Sequence, residues 1–204
     1  MSGIIAQNSG RHTGLVKASS GGGVWNLIET QTASSDATLD FTSGIDSTYD
    51  EYVFKFINIH PASDSAEFGF QADTGANTSY NQTITSTFFK ALHRQDDVVT
   101  SLAYDTWADL AESTSFQRLG FNIDNDNQDS FCGTLQIFDP SSSTFVKHFV
   151  GTFNYNYDGV ADEAYSFNTF VAGYFNTTTA ITRFQFKFES GNIDAGTISL
   201  YGIS

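Results

Sequence analysis

The chain has 204 residues, 20 of them Phe and 9 Tyr, a single cysteine and a formal charge of −14. One cysteine excludes an internal disulfide framework, and so acidic a chain repels nucleic acid, whose binding needs cations on phosphate. The length suits one domain, or one domain with an arm, and Phe, Tyr and Thr set among Ser, Asn and Gly predict strands joined by turns.

In chain order, residues 1–23 come first. They have no sustained period and end in three glycines, which is linker chemistry. Two apolar pairs, Ile4 with Ile5 and Leu15 with Val16, interrupt the linker, and Arg11 and Lys17 are its only formal charges. A plain spacer needs none of these, so the segment reads as a docking arm in front of a body spanning residues 24–204. The first residues lack the basic start and apolar core of a secretory signal, and no apolar run reaches membrane-spanning length. The expectation is a protein made in a cytoplasm and inserted in no membrane.

Strand signals then recur at short intervals. They fall at 24–31, 38–42, 51–60, 67–72, 81–89, 116–123, 131–138, 145–155, 164–174, 181–188 and 196–203, separated by stretches such as DTGANTS, DNDNQDS and DPSSST. Many short strands at this spacing predict an antiparallel all-β sandwich, jelly-roll-like, with an extended N-terminal arm. Only residues 103–114 hint at a helical turn.

Two of these strands differ in kind. ITRFQFKFES alternates cleanly, with Phe184, Phe186 and Phe188 on one face and Arg183, Gln185, Lys187 and Glu189 on the other, so it predicts one wet face. The strand over 52–59 is apolar on both: Tyr52, Phe54 and Phe56 alternate with Val53, Lys55, Ile57 and Ile59. A dry outer face on a two-layer sandwich needs a cover. The expected cover is another copy of the chain against Val53, Lys55, Ile57 and Ile59, with the long region 89–114 as the alternative.

Residues that could carry chemistry are scattered. Asp124, Asp126 and Asp129 in DNDNQD resemble half a calcium loop, yet the EF-hand positions for Gly and Glu hold Asp129 and Leu135. A turn rich in Asx residues accounts for them better, with surface calcium left open. Asp46, Asp50 and Glu51 cluster, as do Asp105, Asp109 and Glu112 near Trp107; both read as solvated acids. His12, His60, His93 and His148 show no metal-ligand spacing. Cys132 has no base beside it and reads as a small apolar side chain. Tyr155, Tyr157 and Tyr165 could stack on sugar rings, and packing within a sheet explains them equally well. No cofactor, metal or catalytic set is expected.

The pieces SGIDSTYDEYVFKFINIHPAS, GTLQIFDPSSSTFVKHFVGTF and SGNIDAGTISLYGIS, with the opening GIIAQNSGRHTGLVKA, resemble virion structural proteins of tailed phages of aquatic bacteria, of the tail-fibre or decoration type. The final piece matches that group's Gly-Thr-x-x-Leu-Tyr-Gly-Ile close. The resemblance implies a non-enzymatic virion protein, trimeric, docked to capsid or tail proteins through the arm and exposed outside after lysis. It also allows contact with host surface glycans. The rival classes are a tail-associated glycan-degrading enzyme, which needs two carboxylates in a groove, and a carbohydrate-binding module, which would carry an export signal.

Overall fold

The computed structural model describes residues 23–157 and 164–204. They form twelve strands: β1 (Trp25–Thr32), β2 (Leu39–Phe41), β3 (Glu51–Pro61), β4 (Ala66–Thr74), β5 (Ile84–Arg94), β6 (Thr100–Tyr104), β7 (Gln117–Ile123), β8 (Phe131–Phe138), β9 (Lys147–Tyr157), β10 (Tyr165–Phe175), β11 (Ile181–Phe188) and β12 (Ile193–Ile203). One antiparallel sheet has eight strands in the order β1-β12-β3-β8-β9-β10-β5-β6, and a second has four in the order β2-β11-β4-β7. The fold is an all-β sandwich. Its layers are unequal, eight strands against four, rather than the matched halves of an eight-stranded jelly roll.

The core lies between the layers and is built from rings. Phe184 and Phe186 are fully buried from the β11 side, and Phe54 and Phe56 meet them from β3. The Phe186 centroid lies 4.9 Å from Phe54, 5.2 Å from Phe56 and 6.0 Å from Phe41, mostly edge-on, the preferred arrangement for aromatic pairs. Burying each such ring contributes about 1.5–3 kcal/mol, which explains why the alternation in β9 is strict: Phe149, Phe153 and Tyr155 face in. Gly151 lies between the first two of these because a Cβ there would stand 2.6 Å from the Phe153 ring.

β6 has no counterpart among the predicted strands. It is a five-residue edge strand with no buried side chain, so it carries no period to read. The helical hint at 103–114 is also wrong: after Tyr104 the chain makes a turn at Thr106–Ala108 and then runs along β5, with Leu110 N donating to Ser86 Oγ at 2.9 Å.

β3 departs from simple alternation. Its pairing with β8 slips between Phe56 and Ile59, and Asn58 in the slip takes φ 51°. Such a bulge re-aims the residues beyond it. Ile59 therefore turns into the core, opposite Phe131, at 0% exposure. It does not share an outer face with Val53, Lys55 and Ile57, which corrects the four-residue set expected from the sequence. Lys55 and Ile57 are exposed, while Val53 is 1% exposed within the chain itself.

The region 89–114 does not cover that face either. Its end lies over the other sheet. Gln71 points outward from β4 yet is fully buried, because its amide donates to the carbonyls of Gln82, Thr114 and Ser115 at 2.9–3.2 Å. Asp73, two residues on, accepts from the backbone N–H groups of Thr74 and Tyr80 and from the Gln82 amide. Residues 75–83 and 113–115 thus strap the outer face of the four-stranded sheet.

Candidate functional site

Two surfaces have enough organisation to do something. The first is the outer face of the eight-stranded sheet. Register places side chains in rows across it, since paired residues share a face. One row runs Leu27, Tyr201, Val53, Gln136, Val150, Ala172. The row on one side holds Trp25, Ile203, Glu51 and Phe138; the row on the other holds Ser199, Lys55, Thr134, Thr152, Phe170 and Phe89. Leu27 is 60% exposed and Leu102, near the β6 edge, 75%. On this face Phe89 stacks on Phe170, 4.7 Å apart, and Trp25 meets Tyr201 edge-on, 5.3 Å apart. Across these rows the only formal charges are Glu51 and Lys55, in a chain with 23 acids.

The second is a cleft of about 330 Å³ on the four-stranded sheet, lined by Glu67, Leu110, Phe116, Arg118, Lys187 and Glu189. Antiparallel pairing of β4 with β11 brings Glu67 and Glu189 together, with Glu189 N donating to Glu67 O at 2.8 Å. Burial and a hydrogen bond to the Glu189 carboxyl raise the Glu67 pKa, and the ion pair with Arg118 opposes the rise. The Arg118 guanidinium lies 4.3 Å from the Trp107 ring centre, and the Lys187 ammonium 4.2 Å from that of Phe116. Two carboxyl groups in hydrogen-bond contact are closer than either separation used in glycoside hydrolysis, about 5 Å and about 6.5–9.5 Å, so no sugar bond fits between them. The cations and acids mainly satisfy one another. Nothing local in the sequence announces this cleft, because Glu67 and Glu189 meet only through strand pairing; the outward position of Glu189 in the alternating strand was its one legible sign.

The residues singled out in the sequence are dispersed. Tyr155 is 2% exposed, its ring stacked 5.3 Å from Phe167 and its hydroxyl accepting from Phe121 N, so it cannot meet a glycan. Tyr157 and Tyr165 are half-buried, packed 6.1 Å apart beside the same Phe167. Asp124 and Asp129 of the DNDNQD turn are buried and engaged apart, Asp124 by Ser65 and Asp129 by Asn156. Burial and a hydrogen bond to Asp64 raise the Asp124 pKa to about 6. Asp46 accepts from Thr48 N and Asp109 from the Tyr104 hydroxyl, and Asp105 pairs with Lys90 at 2.8 Å. Among the described residues, no three His, Cys, Asp or Glu side chains are grouped to hold a metal ion. His148 is exposed on the large sheet beside Tyr174. Cys132 is half-buried there, its sulfur 3.2 Å from Asn58 N. Ile4, Ile5, Arg11, Leu15, Val16, Lys17 and His12 lie outside the described residues.

No family model, no curated protein and no solved structure matches this chain.

Proposed function

We propose that the protein is a non-enzymatic structural protein of a tailed-phage particle, displayed on its surface and anchored through its N-terminal arm. One observation carries this reading. The arm joins the body at the β1 edge of the eight-stranded sheet, whose outer rows carry few charges: Gly23 N and Val24 N both donate to Ser204 O, at 2.8 and 3.2 Å, and Val24, Trp25 and Leu27 follow at 50–60% exposure. Several exposed large apolar side chains gathered on one face mark an interaction surface. The sequence resemblance supplies the setting, a virion, and the excess of acid elsewhere on the body suits an exterior position away from packaged nucleic acid.

That experiment compares particles assembled with the full chain and with a chain starting at Val24. The truncated body keeps every strand and is expected to fold, to melt like the full body and to be missing from purified particles. A truncated chain found on particles at full occupancy, or a full chain found on none, would overturn the proposal.

A further inference from the structure

We infer that the outer face of the eight-stranded sheet is closed by the same face of a second copy, related by a two-fold axis that runs across the strands along the row of Leu27, Tyr201 and Val53. From the proposed function this takes only the premise that the face is an assembly surface.

Area, charge and symmetry lead to it. The rows reach across up to six strands, which at about 4.8 Å span roughly 29 Å, and with their margins they cover roughly 20 Å along the strands. The product, about 580 Å² per copy or roughly 1,160 Å² for the pair, clears the roughly 1,000 Å² that a specific interface needs. Charge selects the partner. A second copy is as acidic as the first, with formal charge −14, and two such bodies repel through most orientations. This face brings the least repulsion, because its central rows hold one acid and one base among apolar, hydroxyl and amide side chains.

Symmetry then sets the register. Glu51 and Lys55 lie two residues to either side of Val53 on β3, on the same outer face. A two-fold axis along the Val53 row reverses the strand direction and keeps β3 over β3, so Lys55 of each copy stands over Glu51 of the other. An axis parallel to the strands would set Lys55 over Lys55. The first pairing is self-complementary, as a closed two-fold contact requires. Leu27 and Val150, 60% and 43% exposed, lie on the axis row and each meet their own counterpart. Twisted sheets stacked this way keep their strands within about 30° of one another, the ordinary aligned packing.

The test uses the full chain at about 10 µM, a concentration that reports affinities in the micromolar range. Sedimentation is expected to give two copies. Leu27→Asp and Val150→Asp, made at exposed sites, should each weaken association by at least about 100-fold and leave the thermal transition of the isolated chain in place. Lys55→Glu alone and Glu51→Lys alone should each give monomers, and an equimolar mixture of the two should recover a dimer containing one of each. A wild-type monomer, a trimer, or a dimer indifferent to these charges would overturn the inference. A monomer that still binds particles through its arm would overturn it while leaving the virion role standing.

Discussion

The outer faces of the two sheets invite comparison, because the sequence assigns them opposite fates. β11, with Arg183, Gln185, Lys187 and Glu189 facing out, promises a solvated surface. In the fold those residues are half-buried except Glu189, and the neighbouring Gln71 and Asp73 on β4 are wholly so. β3, apolar on both faces, promises a covered one. Yet Lys55 and Ile57 stand in the open, among the rows that leave Leu27 and Leu102 exposed. The straps explain the inversion. Buried polar groups cost little only when every donor and acceptor is met, and a face of amides and carboxylates can capture passing loop backbone. Gln71 meets three loop carbonyls in this way. An apolar face offers loop backbone no hydrogen-bond partners, so what covers it must be apolar too. Polar residues therefore recruited the chain's own loops, and apolar residues such as Leu27, Ile57 and Leu102 stand exposed.

The largest effect that would break this comparison is expected at Asp73. Asp73→Ala strands the Thr74 and Tyr80 N–H groups and the Gln82 amide, and at about 1–3 kcal/mol for each group left unsatisfied the loss should be about 3 kcal/mol in urea or thermal unfolding. A loss under about 1 kcal/mol would mean that the straps are held by something else.

A smaller effect is expected from pH at Asp124, where the loop after β7 meets Ser65. Its folded pKa, about 6, lies above the unfolded value of 3.8. The folded state then holds more protons between those values, so this contribution is fully present below pH 3.8 and is lost as pH rises through 6. The carboxyl should cost about 1–2 kcal/mol of stability between pH 4 and 7, and Asp124→Asn, a mimic of the protonated form, should flatten that part of the profile. An unchanged profile in the variant would assign the pH dependence to another group.

The smallest effect sharpens the other side. Ile57 and Leu102 are 44% and 75% exposed, so Leu102→Asp should change the stability of the isolated chain by no more than about 0.5 kcal/mol, with Ile57→Asp close behind. A loss of several kcal/mol on thermal unfolding of dilute protein would show that the face is already covered within one chain.

By itself the sequence determined the class and most of the strands. A period of two over Phe184, Phe186 and Phe188, or over Phe149, Phe153 and Tyr155, admits one backbone, and the burial energy of rings enforces it. The edge strand β6 escaped because it buries nothing. Tertiary structure decided three things that no local pattern encodes. The slip at Asn58 reset the parity of β3 and carried Ile59 inward, since pairing with β8, rather than the residues themselves, chooses where a bulge falls. Pairing of β4 with β11 brought Glu67 to Glu189 across more than a hundred residues of chain. The cover of the four-stranded sheet's outer face was settled by where the connecting segments found hydrogen-bond partners, a property of the assembled surface and of no single strand.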